Sequence, residues 1–264
     1  MINILAVTLK GVFRDKVYHG IFFISCLFLL IPSTSTFSLR QVTQLSITLS
    51  LSLTSFLLLL LAVFLGGTSL WKDIERHYVQ SVLGGTPISR TSYILGKYCG
   101  VSMFVMLTAL LLGLMSLAAI WFTAMAYPPE RPLLWLNIFF AVFLDSLKYA
   151  LLVAVAFLLS TVSTSFFLPI FGTIATFLAG SASQNVYDYL HTDQGAQISA
   201  GIKATALFFY YILPNFSAFD LKANAIYSLP LDPAGLFFTF GYAVAYIAIL
   251  LTAASLIFTR REML

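Results

Sequence analysis

Charged side chains are missing from several long stretches of this sequence, and that absence limits the fold more than any motif does. No Asp, Glu, Lys or Arg falls between Lys16 and Arg40, between Arg40 and Lys72, or between Lys97 and Glu130. A helix crosses the hydrocarbon core of a bilayer in about 20 residues, provided they are predominantly apolar. Each gap exceeds that length. Over the whole chain, 60% of residues are hydrophobic and only 9% are charged, with mean hydropathy +0.95. A soluble domain carries about 25% charged residues, so a soluble fold of this size has too little polar surface to cover the rest. Lipid is therefore the solvent for much of the chain.

The hydropathy pattern predicts an all-α membrane protein with six transmembrane helices, over residues 20–37, 45–65, 101–125, 133–160, 166–182 and 236–258. The polar run from Ser160 to Ser165 divides the fourth span from the fifth. The 264 residues suit a single transmembrane domain, 1–264, without a large soluble partner domain. Basic residues set the orientation, because cytoplasmic loops carry the excess of Lys and Arg. With six spans and both termini in the cytoplasm, Lys10, Arg14, Lys16, Lys72, Arg76, Arg90, Lys97, Arg260 and Arg261 fall inside. Arg40, Arg131, Lys203 and Lys222 fall outside, a ratio of nine to four. The net charge of +4 is thus read as membrane orientation and not as nucleic-acid binding. The expected location is the plasma (inner) membrane of a cell.

Three further segments have a pattern of their own. At the N-terminus Ile2, Leu5, Leu9, Val12 and Phe13 recur at helical spacing, while Asn3, Lys10 and Arg14 fall elsewhere. This predicts an amphipathic interface helix over 1–16. No small-x-small cleavage site follows it, so the next apolar run reads as an uncleaved first span. Between spans two and three, Leu70, Ile74, Tyr78 and Val82 share a face, with Lys72, Asp73, Glu75, Arg76 and Gln80 pointing away. That predicts a cytoplasmic helix over 71–85, stopped by Gly84-Gly85-Thr86-Pro87. An extracytoplasmic segment over 183–235 holds a short apolar helix, 204–213, ended by Pro214-Asn215.

Enzyme chemistry finds little purchase. No GxxxxGK[ST] phosphate loop occurs; Gly96-Lys97 lacks the upstream glycine and precedes Tyr98. His19, His77 and His191 are scattered, and Cys26 and Cys99 have no motif spacing, so neither a metal nor another cofactor is expected. The one intramembrane ionic feature is Asp145 with Lys148, three residues apart on one helix face. A charge at the bilayer centre costs at least about 2.5–3.5 kcal/mol, which makes the pair a candidate polar path or relay. It can equally serve packing near an interface.

Several motifs follow one another in a familiar order. Lys72-Asp73-Ile74-Glu75-Arg76, Thr86-Pro87-Ile88-Ser89-Arg90 and Ile94-Leu95-Gly96-Lys97 resemble the coupling region of ABC-2 type transporter permeases, in the bacterial six-span branch. Leu158-Leu159-Ser160, Tyr211-Ile212-Leu213-Pro214-Asn215-Phe216, Phe219-Asp220 and Ile257-Phe258-Thr259-Arg260-Arg261-Glu262 extend the resemblance along most of the chain. It departs at Asp73, where glutamate is usual, at Tyr78, near a usual threonine, and at the double glycine 84–85. The resemblance implies two permease subunits paired in the membrane, as a homo- or heterodimer. Each would be docked to a separate ATP-binding subunit that hydrolyses the ATP. The helix at 71–85 would then be the coupling helix. Asp73, Glu75 and Arg76 would make polar contacts to the partner, and Ile74 and Tyr78 would supply apolar anchorage. Gly66, Gly67, Gly113, Gly172 and a Ser/Thr ladder in span two suit close helix packing in lipid. The competing readings are a secondary transporter and a non-transport subunit that anchors or assembles a larger complex.

Overall fold

The computed structural model describes residues 2–13, 16–38, 41–75, 89–129, 131–192, 195 and 198–260. Every regular element among them is helical. In chain order these are α1 (Ile2–Phe13), α2 (Lys16–Ser25), a 3-10 turn (Cys26–Leu30), α3 (Ile31–Ser35), α4 (Val42–Glu75), α5 (Arg90–Ala126), α6 (Trp135–Val162) and α7 (Phe167–Leu190). Then come α8 (Ala200–Ile212), a 3-10 turn (Ser217–Phe219), α9 (Lys222–Tyr227) and α10 (Pro233–Arg260).

Four helices, α4, α5, α6 and α10, are long and apolar enough to cross a membrane. They coincide with the second, third, fourth and sixth predicted spans. The first predicted span is segmented into α2, a 3-10 turn and α3. Pro32 lies at the start of α3 and cannot donate a backbone bond to the preceding turn. The Thr34 and Ser35 hydroxyls donate to the Leu30 and Pro32 carbonyls of the same stretch. The fifth predicted span is helical from Phe167, yet it runs on to Leu190 instead of ending near 182. Nothing in 183–190 breaks a helix, and Ser183, Gln184, Asn185 and Asp188 thin its apolar character.

α6 is the central rod. α4, α5, α7 and α10 all pack on it, and 78% of its apolar window is buried within the chain. Small residues let the rods approach. A methyl group at Gly66 of α4 would stand 3.1 Å from the Ala156 Cβ of α6, and one at Gly113 of α5 would stand 2.8 Å from a Val142 methyl. Polar side chains add cross-helix bonds. Ser46 meets Thr123 at 3.1 Å, Thr54 meets Ser116 at 2.8 Å, and Ser160 donates to the Gly67 carbonyl at 3.3 Å. The predicted Ser/Thr ladder thus lies partly in the α4–α5 seam, where the alternative partner in lipid would be nothing.

The break after α6 is built by its serines. Ser163 ends the helix and accepts from the Ser165 amide at 3.1 Å, while Ser165 accepts from the Phe167 amide at 3.2 Å. α1 lies against α5, with Leu9 and Ile4 packed on the core, Val12 buried and Lys10 exposed. Protein thus covers α1 along Ile4, Leu9 and Val12. Cys26 is exposed, Cys99 is half-buried, and both are free thiols.

Candidate coupling end and buried ion pair

α4 is 34 residues long. At 1.5 Å per residue it spans about 51 Å, well beyond a hydrocarbon core of about 30 Å. It is thus longer than one crossing requires, and it runs without a break to Glu75. Trp71–Glu75, expected to open a separate helix, are the end of this continuous rod. Arg76, Tyr78 and the Gly84–Pro87 stop lie outside the described residues.

Within the described part, Asp73 turns toward its own chain. It accepts from the Tyr93 hydroxyl and forms an ion pair with Lys97, both on the first turns of α5. Lys97 is buried and Asp73 only slightly exposed. Ile74 packs against the main hydrophobic core, and Glu75 is exposed. Trp71 lies 5.8 Å from Phe166, which immediately precedes α7. On the α5 side Ser89 caps the helix, accepting from the Ser92 amide at 3.2 Å. Such a cap satisfies one of the unpaired amides of a helix start.

Arg90 adds a third helix to this end. Its guanidinium donates to the Thr259 carbonyl at 3.0 Å and lies 3.5 Å from the Phe258 carbonyl. These are among the last carbonyls of α10, which have no partners within their own helix. A cation there also complements the helix dipole. The segment 76–88 is thus bracketed by two ends tied to each other and to the end of α10. Sequence reasoning placed Asp73 among the partner contacts and did not foresee Tyr93 or the Arg90 cap. Their only advance signal was the Pro-Ile-Ser-Arg run that ends in Ser89-Arg90.

The second predicted feature lies more than two turns inside α6. Asp145 and Lys148 form an ion pair and are both 5% exposed. Ser55 of α4 donates to the other carboxylate oxygen of Asp145. The Lys148 ammonium also lies 4.8 Å from the centre of the Tyr149 ring. A buried ion pair persists only when its remaining polar capacity is met, and Ser55 and Tyr149 meet part of it. A cavity of about 260 Å³ reaches Lys148 of this pair, bordered by Ser55 and Phe56 of α4, Ser181 of α7, and Asp220 and Lys222 at the start of α9.

The segment between α7 and α10 is tied down at its turn. α8 ends at Ile212, close to the predicted 204–213 helix, and Pro214-Asn215 follows. Asn215 donates its side-chain amide to Gln184 at 2.7 Å, and its backbone amide donates to the Tyr242 hydroxyl at 2.8 Å. Ser217 donates to the Ser181 carbonyl at 2.7 Å. A Cβ at Gly180 would collide with the Pro214 carbonyl, so that turn sits hard against α7. The resemblance motif around Pro214 thereby becomes a plug joining α7 to α10. No protein-family profile matches the sequence, and comparison with curated proteins finds no match.

Proposed function

We propose that this chain is the permease subunit of an ATP-driven transporter of the ABC-2 type, crossing the inner membrane six times with both termini in the cytoplasm. The tie between the ends of α4 and α5 carries this reading. Asp73, Tyr93 and Lys97 lock the two rods together just where the chain leaves for 76–88. Arg90 extends the lock to α10. A push on that segment is delivered to three long helices at once, which is what a separate motor requires of a membrane partner. Within this reading Asp73 holds the rods, Ile74 anchors the turn in the core, and Glu75 with the segment that follows it makes the contact with the ATP-binding subunit.

The six crossings consist of the four long helices, α7, and the α2–α3 run. The last of these adds up to about 30 Å if its pieces stack end to end, enough for one crossing. The sparsely covered α10 is where a second permease subunit packs. The basic residues at the α4–α5 end and at Arg260 support its cytoplasmic placement. A secondary transporter is the second reading, and the buried Asp145–Lys148 pair beside a cavity is what favours it, since ionisable residues within a bundle mark ion pathways.

One purification separates the two. The tagged chain is extracted from its native membrane in mild detergent, and the co-purifying proteins are identified. The expected result is one ATPase subunit bearing a phosphate loop, in fixed ratio to the permease, with ATP hydrolysis in the eluate. A chain that drives solute uptake in vesicles without any ATPase contradicts the proposal.

A further inference from the structure

We infer that the cavity beside Lys148 is a binding site for a compact oxyanion of the phosphate or phosphate-ester type. Donors and acceptors around the cavity are unevenly spent. Both oxygens of Asp145 are engaged, one by Lys148 and the other by Ser55. An ammonium carries three donors, and the Asp145 oxygen takes one. Asp145 keeps further lone pairs, but of the two partners only Lys148 borders the cavity, so what the pair offers there is donor capacity. Lys222, the first residue of α9, brings a second cation to the same space.

Asp220 is the opposing charge. It is exposed, and one of its oxygens already accepts from the Lys222 amide at 3.0 Å. It sets the upper limit on how strongly the site attracts an anion. Size narrows the ligand further. Sites for whole drug-sized molecules run from about 300 to 1,000 Å³. A cavity of about 260 Å³ holds a head group. Phe56, which is 51% exposed, and Leu59 border the same cavity, so an apolar tail has surface to follow as it leaves. The chemistry is shared by a free phosphate and by the head of an anionic lipid.

Binding is measured on the full chain alone in non-ionic detergent, without ATP or a partner. Failure of the motor assignment therefore leaves this inference standing, and its own failure leaves the motor assignment standing. Calorimetric titrations use inorganic phosphate and short-chain phosphatidate, with short-chain phosphatidylcholine as reference. Saturable binding of phosphatidate over phosphatidylcholine supports the site. If inorganic phosphate then competes, the ligand is a soluble anion; if it does not, the ligand is a lipid head. Lys222→Ala is expected to weaken binding about tenfold, the scale of one charge-assisted hydrogen bond, and Asp220→Asn to tighten it. The Asp145→Asn, Lys148→Met double variant, which leaves no stranded charge, is expected to abolish it. Failure of the wild-type chain to bind either anion overturns the inference. So does unchanged affinity in Lys222→Ala and Asp220→Asn, two surface changes that leave the bundle core alone.

Discussion

α6 and α10 are two helices of 28 residues whose most apolar windows have the same mean hydropathy, 2.0. In α6 78% of that window is buried inside the chain, and in α10 only 17%. Apolarity told both apart from a soluble helix but said nothing about which one neighbouring helices would cover. The difference lies in what interrupts the apolar run. α6 carries Asn137, Asp145, Lys148 and Ser160, each buried and each bonded. Such groups need protein around them, because lipid offers no partner. α10 holds no charge before Arg260, and it leaves Phe237, Val244, Ile249 and Leu256 outward. Polar residues within a span thus mark its inner position better than hydrophobicity does.

The comparison breaks most visibly through topology. With α10 crossing inward, a cysteine at Lys203→Cys is expected to react with an impermeant thiol reagent in intact cells, while one at Arg260→Cys stays unlabelled until the cells are opened. Both are read in a Cys26→Ser, Cys99→Ala background, to remove the native thiols. Labelling at position 260 in intact cells contradicts the orientation, and labelling at both positions removes the α10 crossing as well.

Stability comes next. Lys148→Met or Asp145→Asn alone strands a buried group in α6, and each is expected to cost about 3–5 kcal/mol in thermal or denaturant unfolding of the detergent-solubilised chain. The double variant is expected to recover most of that loss. Equal, small effects from all three show that the pair is solvated and that α6 is less enclosed than α10 suggests by contrast.

A finer probe sets one seam residue against one outward residue. Gly66→Val forces a branched side chain into the 3.1 Å approach of Ala156 and is expected to lose about 1–3 kcal/mol. Ile249→Ala, on a residue 64% exposed, is expected to change monomer stability by under about 0.5 kcal/mol. If Ile249→Ala instead weakens self-association measured by cross-linking, the outward face of α10 is covered by a second copy, as proposed.

The reach of the sequence follows from the same physics. Long charge-free runs announced α4, α5 and α10, and an apolar stretch interrupted by Asp145 and Lys148 announced α6, since hydropathy is a local property of twenty neighbouring residues. The Asp145–Lys148 pair was legible because three residues along a helix is also local. Ser55, which completes it from 90 residues away, was visible only as one rung of a polar ladder. Asp73 could be seen as part of a charged segment, but not as bound inward, because Tyr93 and Lys97 reach it only once α5 has folded back alongside α4. The extension of α7 to Leu190 was missed for a related reason. Polar residues end an apolar window without ending a helix, and the plug at Pro214–Phe216 that holds this part of α7 comes from a distant segment.

Transmission through the α4–α5 end is the central claim, and charge reversal tests it most directly. Glu75→Lys with Arg76→Glu reverses two charges at the start of the segment while leaving Asp73, Tyr93 and Lys97 in place. The variant and the wild-type chain are purified from the native membrane, and the amount of bound ATPase subunit and its turnover are compared at equal permease concentration. The expected result is a permease of unchanged thermal stability that retains less of the ATPase subunit, or retains it without coupling its turnover to transport. Full retention of that subunit together with wild-type transport per ATP hydrolysed would contradict it.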